Sequence, residues 1–414
     1  MARTPTEFTE NSYGYLSMDG LHVAIVSHPG QAHTYPSLGL CPEFVRRGHR
    51  VTFVTDVSNG TLVSEAGAHA LIMNPAEFKV IGDFADISSW SAYDPRWWDV
   101  YASSVYPWLL ANAENVIRQH QSFFEKDRPD VILYDSIAYA GRIIGHHLGV
   151  PMIRTSPHFA PPEGYLYRAH GCSVNPPPLR EFAKSLDAFF LSHGVSVRDE
   201  LWRTEDHNIY FVPREFQYDA DSYGSRYVFI GACLEREFES VWCDNSRGKP
   251  IVLVSDMSGN NDPAYFKLFT EALSGMNCHV ILTVSESFPI TALGTLPSGV
   301  EINHHASHLE ILPHASLSIS RGGNGSVLEA VYNGVPVLAI PLHQYHEETA
   351  YRTAQLGIGI HLPKEQATAE SIRESVDALL HDAGRQESVR QMRQAFRAAG
   401  GASLAVDTVE RAVA

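Results

Sequence analysis

The sequence predicts an α/β protein made of two doubly wound halves that face each other across a cleft. Three observations predict it. Short apolar runs of strand length alternate with stretches of helical period along nearly the whole chain. The alternation stops at a charged, apolar-poor stretch, residues 232–249, and then starts again. In each half an apolar run leads into a loop rich in His, Gly or Ser, at the strand edge where open parallel sheets bind ligands.

The elements follow in order. Residues 1–20 are polar, lack the apolar core of a signal peptide, and read as a flexible extension. Residues 21–27 are an apolar strand. Residues 36–47 carry Leu38, Leu40, Phe44 and Val45 at helical spacing, and Gly48 closes the helix. Residues 51–55 are the next strand, and a β–α–β start of this kind predicts parallel pairing. Strands at 130–134 and 151–155 flank a helix over 137–148, and strands at 210–212 and 227–230 close the half. Two stretches read as irregular. Residues 76–108 are crowded with aromatics, among them Phe84, Trp90, Trp97 and Trp98; residues 156–178 are rich in Pro, Gly, His and Tyr and include Phe159. Such an insertion suits the wall of an apolar pocket, and equally a loop packing its own small core. Past the linker, strands are expected at 251–255, 279–284, 300–303, 317–320 and 336–340. Helices are expected at 263–274, 308–312, 327–333, 347–356, 368–380 and 385–399. The domains so drawn are 1–20, an extension; 21–231; the linker 232–249; 250–395; and a terminal helix, 396–414.

Composition narrows the function. The chain has 414 residues, 44% hydrophobic and 19% charged, enough for two ordinary cores. A formal net charge of -16 argues against a nucleic-acid binder, so anionic ligands must be met by local devices. The five cysteines, Cys41, Cys172, Cys233, Cys243 and Cys278, show no C-x-x-C spacing, which suits a reducing cytoplasm. No apolar run is long enough to span a bilayer.

Residues 317–329, LSISRGGNGSVLE, are the strongest local signal. A strand, the turn Arg321-Gly322-Gly323-Asn324-Gly325-Ser326 and a helix start make an anion site, because glycines admit the ligand and the first-turn N–H groups point at it. Arg321 adds a cation suited to phosphate. The plainer reading is an ordinary βα turn, with Ser326 and Glu329 forming a capping box. Ser255 and Ser258, after another strand, can add donors to the same anion. Residues 303–308 hold His304, His305 and His308, but no third-ligand spacing supports a metal there, and Ser307 with Glu310 reads as a second capping box. In the first half, His28 and His33 lie past the first strand and are candidates for a general base. Asp135 ends another strand; it can orient a histidine or cap the helix starting at Ser136 or Ile137.

Together these segments, covering most of residues 21–362, resemble the GT-B glycosyltransferases of the macrolide and natural-product type, relatives of the UDP-glycosyltransferases. The N-terminal match is His33-Thr34-Tyr35-Pro36-Ser37-Leu38 followed by Arg46-Arg47-Gly48-His49-Arg50-Val51-Thr52. Residues 129–136, PDVILYDS, match the family's P-D-x-x-x-x-D segment, 250–258 the opening strand and loop of the nucleotide half, and 322–330 the glycine turn. The resemblance implies two Rossmann-like domains, the first for an acceptor and the second for a nucleotide sugar, with the terminal helix crossing back onto the first. It implies His33 as base, His28 as runner-up, and Asp135 steadying the imidazolium. It implies pyrophosphate contacts from the turn, ribose contacts from Glu329, and an inverting displacement needing no metal or other cofactor beyond the UDP- or dTDP-sugar co-substrate.

Three departures from the family bear on the donor. Arg321 stands where the family has histidine. Tyr345 and His346 stand where it has an acidic residue and Gln for the sugar hydroxyls, which points away from glucose and toward a deoxysugar, an amino sugar or an unusual donor. His305-Ala306-Ser307-His308 replaces W-x-P-Q, leaving His305 to stack on the base and the Ala306 backbone to pair with its edge. The expected function is sugar transfer to a hydroxyl of an apolar small molecule, with Phe84, Trp90, Trp97, Trp98 and Phe159 lining the acceptor site. The alternative is a catalytically silent relative acting as a binding or auxiliary partner. Neither nucleic acid nor stable membrane insertion is expected, and monomer and homodimer are both left open.

Overall fold

The computed structural model describes residues 20–78, 94–162, 167–169, 172–174, 177–196, 204–234, 242–255, 263–285, 288–304 and 308–414. In the first half the strands are β1 (His22–Val26), β2 (Arg50–Thr55), β3 (His69–Ile72), β4 (Val131–Asp135), β5 (Met152–Ser156), the hairpin β6 (Tyr167–Ala169) and β7 (Cys172–Val174), β8 (Asn208–Tyr210) and β9 (Tyr227–Phe229). The helices are α1 (Gln31–Leu38), α2 (Cys41–Arg46), α3 (Gly60–Glu65), α4 (Arg96–Val100), α5 (Tyr106–Lys126), α6 (Tyr139–Leu148) and α7 (Pro177–Ser192). In the second half the strands are β10 (Ile251–Ser255), β11 (His279–Thr283), β12 (Val300–Asn303), β13 (Ala315–Ser320), β14 (Val337–Ala339) and β15 (Gly359–His361). Its helices are α8 (Pro263–Leu273), α9 (His308–Ile311), α10 (Asn324–Tyr332), α11 (Gln344–Gln355), α12 (Ala369–His381), α13 (Ala383–Ala398) and α14 (Gly401–Val413).

Among the described residues, every strand pairing apart from the hairpin is parallel. The first sheet runs β3-β2-β1-β4-β5-β8-β9 and the second β12-β11-β10-β13-β14-β15. Buried Val, Ile and Leu fill the central strands because both faces are covered by helices. Strand order reverses between β1 and β4 in one sheet and between β10 and β13 in the other. The chains diverge there to opposite faces and leave a crevice at each strand's carboxyl end.

Several expected elements differ. The helix expected at 36–47 is two helices, parted at Gly39 and Leu40, and the first begins at Gln31 with Pro36 inside it. The aromatic stretch is not irregular throughout: Arg96–Val100 is helical, Tyr101–Val105 is a π-helical turn, and α5 continues from it. The strand expected at 210–212 lies at Asn208–Tyr210.

The halves share one core. Tyr210, Phe216 and Tyr218 pack with Val331, Val389 and Phe396. Arg352 donates to the carbonyls of Glu215, Phe216 and Gln217, with its guanidinium 4.8 Å from the Tyr218 ring. The chain then returns: α14 buries Ala405, Val406 and Val409 with Phe44 and Phe53 of the first half. Arg47 holds Asp407 at 2.6 Å, and the Gly401 N–H donates to Ile230. Gly231, at φ +75°, is needed at this crossing, since a Cβ there would meet Ala399 and the Phe396 carbonyl at 3.0 Å. Phe396 is 2% exposed and meets Phe216 edge to face. Phe396→Ala is therefore expected to destabilise the protein by about 3–5 kcal/mol, read as a fall in the urea midpoint.

Candidate active site

The base candidates come from the first crevice. His33 lies not in a loop but in the first turn of α1, with Gly30 as N-cap. Its Nδ1 sits 2.9 Å from Asp135 Oδ2 at the end of β4. Asp135 is 1% exposed, and its other oxygen accepts from the Ile137 N–H at 3.0 Å. It therefore orients the histidine and caps the following turn at once. Burial pushes the Asp135 carboxyl up, but the His33 charge, the His33 hydrogen bond and the Ile137 N–H together hold it below its usual value. An ionised Asp135 fixes the proton on His33 Nδ1 and leaves Nε2 as the basic nitrogen.

His28 is differently placed. Its Nδ1 accepts from the Gly30 N–H at 3.0 Å, so its basic lone pair is taken, and Nε2 is buried. Its ring lies 5.1 Å from His33 and 5.0 Å from Trp108. A third imidazole, His158 after β5, meets His33 edge-on at 5.1 Å. Its position past a strand's carboxyl end was the only sequence signal for it.

The second crevice holds the glycine turn. Gly322 has φ +77°, and a Cβ there would meet the His346 carbonyl at 3.1 Å. The Gly322 N–H donates to Ser320 Oγ, and Gly323 is the N-cap of α10. The expected Ser326–Glu329 capping box does not form: the helix starts at Asn324, so Gly325 and Ser326 are already inside it, and no side chain caps its N-terminus. Ser255 is 4% exposed and bonds back to Ile319. The Arg321 guanidinium lies 6.0 Å from the Tyr265 ring. Glu329 stands 3.6 Å from His308, whose other nitrogen is 3.0 Å from Thr283 Oγ1. Tyr345 and His346 fall in the first turn of α11, with His343 as N-cap.

The crevices meet. Asn324 of the glycine turn donates to the Pro157 carbonyl beside His158. Trp97 lies 5.6 Å from His343, and Tyr101 lies 4.9 Å from Tyr345. Burial and the Arg321 charge lower His343 to about 4; burial, His343, Arg321 and His158 lower His346 well below its ordinary value. Trp98 packs on Tyr101 at 5.8 Å. Phe159 is not a pocket wall: it is 6% exposed and stacked on Phe216 in the shared core. Phe84, Trp90, Ser258, His305 and Ala306 lie outside the described residues, as does Ser307 of the expected Ser307–Glu310 box, while Glu310 accepts from the Trp242 N–H at 3.2 Å. Among the described residues no group of three His, Cys, Asp or Glu converges as a metal site, and no helix is long and apolar enough to cross a membrane.

Two Rossmann-like sheets meeting at their carboxyl-end crevices, with the terminal helix returned to the first, make a GT-B architecture. Residues 267–406 match the family model described as erythromycin biosynthesis protein CIII-like, C-terminal domain. The chain is 29% identical to NDP-glycosyltransferase YjiC of Bacillus subtilis (strain 168), over 95% of this chain and 97% of that one. It is 27% identical to demethyllactenocin mycarosyltransferase of Streptomyces fradiae, over 94% of this chain and 86% of that one. The structure is similar to that of the calicheamicin glycosyltransferase CalG4, with TM-score 0.78 and 26% identity over 96% of this chain and 99% of that one. It is similar also to the glycosyltransferase of kitacinnamycin, with TM-score 0.79 and 28% identity over 95% and 99%. The chain is a nucleotide-sugar-dependent transferase with the GT-B fold, similar along nearly its whole length to glycosyltransferases of the macrolide and natural-product type.

Burial, then the His33 charge, lower His28 from 6.5 to about 3. Unfolding restores the ordinary value, so the unfolded chain binds a proton that the folded one refuses. The His28 contribution to stability is complete above 6.5 and is lost as pH falls toward 3. His28→Gln is expected to flatten the fall in Tm across that window, as measured by scanning calorimetry; an unchanged slope would place the acid sensitivity elsewhere.

Proposed function

We propose that the protein transfers a sugar from a UDP- or dTDP-sugar to a hydroxyl of an apolar natural product, with inversion at the anomeric carbon. The observation that carries this reading is the His33–Asp135 hydrogen bond of 2.9 Å at the β1/β4 switch, facing the glycine turn across the cleft. The acceptor hydroxyl gives its proton to His33 Nε2 as its oxygen attacks the sugar's C1. Asp135 stabilises the imidazolium through Nδ1. The C1–oxygen bond to the diphosphate breaks on the opposite face, and its charge passes to Arg321, the N-cap Gly323 N–H and the first-turn N–H groups of α10, residues 324–326. No metal is required for that charge. In this reading residues 21–231 serve the acceptor and 250–395 the donor. Ser255 and Ser258 flank the phosphates, Glu329 takes the ribose, and His305 and Ala306 take the base. Tyr345 and His346 face the sugar, while Trp97 and Trp98 approach the acceptor. Relatives named for macrolide glycosylation, such as the Streptomyces antibioticus oleandomycin glycosyltransferase, support a place in antibiotic biosynthesis.

His33→Ala should cost about 10²–10⁴ in transfer rate while nucleoside diphosphate affinity stays near wild type. Asp135→Asn should lower the rate without restoring affinity changes of its own. NMR of the product should show the anomeric configuration opposite to the donor's. Retention, or wild-type turnover by His33→Ala, would sink the mechanism. Arg321→Ala should weaken diphosphate binding by about 1.5–3 kcal/mol in calorimetry, the scale of a hydrogen bond to a charged group. An unchanged Kd would remove Arg321 from the phosphate site.

A further inference from the structure

Three imidazoles meet at the first crevice, and only His33 has a role in the proposed mechanism. His28 and His158 each lie 5.1 Å from the His33 ring, tilted by 59° and 67°, and among the described residues they do not meet each other. Both are neutral at neutral pH: desolvation, then the His33 charge, lower His28 to about 3 and His158 to about 4. Neither therefore competes for the proton that His33 takes, and neither repels the imidazolium that forms. Asp135 fixes one nitrogen of His33 but not the plane of the ring, which can still pivot about that single bond. A reacting group misplaced by about 1 Å can cost about 10²-fold in rate.

The two flanking rings are held differently. His28 is fixed within its own half: it takes the Gly30 N–H on Nδ1 and packs on Trp108, whose indole N–H donates to the Ala76 carbonyl. His158 stands on a short loop after β5. It is surrounded by protein yet keeps an exposed surface, as a cleft-lining side chain does. Its loop is pinned on both sides. Before it, the Pro157 carbonyl accepts from Asn324 of the glycine turn, in the opposite half, and the Asn324 carbonyl oxygen in turn accepts from Thr349 Oγ1 at 3.4 Å. After it, Phe159 stacks on Phe216, and Ala160 exchanges two hydrogen bonds with Gln217, at 2.9 and 3.1 Å. The backbone N–H of His158 itself donates to Ser156 Oγ at 3.2 Å. An exposed side chain on so closely held a loop points to work in the cleft.

We infer that His158 is a positioning residue for the base: its ring fixes the plane of His33, and Asn324 of the opposite half holds it there through the Pro157 carbonyl. The inference rests on the proposed function, in which His33 is the base. It gives the glycine turn a second task. With Asn324 seated on Pro157 the base is aimed; with the halves apart, His158 is released and His33 is free to pivot. The chain then completes its base only when the cleft is closed.

The test is NMR of the full chain carrying isotope-labelled histidine, with the His33 signals assigned by their loss in His33→Gln. Two-bond proton–nitrogen spectra are expected to show His33 protonated on Nδ1, and relaxation of its ring carbons to give an order parameter of about 0.85, that of a rigid group. His158→Ala is expected to drop that value below about 0.6, with the tautomer kept. His158→Gln, which keeps a polar side chain without the ring, is expected to do the same, and it serves should the alanine variant not fold. His158→Phe restores a ring and is expected to restore the order. Asn324→Ala, in the other half, is expected to loosen His33 as well. A His33 that stays rigid in His158→Ala, His158→Gln or Asn324→Ala, or loose in His158→Phe, would overturn the inference while leaving His33 as the base. A wild-type His33 protonated on Nε2 would overturn the base reading and the inference with it.

Discussion

The parallel pairing of β1 with β4 is the constraint on which the rest depends. It places neighbours in space two segments about a hundred residues apart, with Val26 beside Tyr134. The next residues of each segment then rise on either side of one crevice. His33 reaches it from the first turn of α1, and Asp135 from the last position of β4. A carboxylate that is 1% exposed would be costly if unpaired; here it carries a histidine and a backbone N–H. The same reversal between β10 and β13 sets the glycine turn at the mouth of the second crevice. Two switch points on one chain thus carry the proposed base and the proposed anion cradle.

What holds these crevices opposite each other is packing away from them. The shared core around Phe216, Tyr218 and Phe396, and the three carbonyls gripped by Arg352, tie the second half to the segment that follows β8. The return of α14 to Phe44 and Phe53 closes the chain on itself. Arg47 and His49, which read in the sequence only as part of a strand entry, meet Asp407 and Glu410 of that helix. Among the described residues, contacts across the cleft include polar and aromatic ones: Asn324 to Pro157, Trp97 to His343, Tyr101 to Tyr345. That contrast suits a cleft whose walls adjust to a ligand around the fixed His33–Asp135 pair.

The sheets were legible because their central strands are continuous apolar runs, the mark of strands covered on both faces. Every one of the second half's first five strands was found within two residues or so. The edge strands β3 and β15 were missed: β3 has no fully buried side chain, and β15 is only three residues long. Helix α7 carries Leu179, Phe182, Leu186 and Phe190 at clear helical spacing, but the prolines at its start concealed it. The start of α1 was missed because Pro36 suggested a helix beginning rather than a residue near its end. His33 and Asp135 could be singled out as strand-end residues, but their bond joins positions no periodicity connects. Tyr101 with Tyr345 and His158 with His33 are further cases: Tyr101 alone is one aromatic among many, and His158 alone is a loop residue. Phe159 was misread for the same reason, since composition cannot separate a pocket wall from a core filler.

Hydrogen exchange of the full chain, with and without a saturating nucleoside diphosphate, tests the central claim most directly. With the diphosphate at the switch point of the second sheet, residues 321–329 should slow most on binding. The contradicting result is equally specific. Protection confined to the opposite edge of the sheet, in the cavity lined by Pro250, Cys278 and Arg373, would mean that the glycine turn is only a turn.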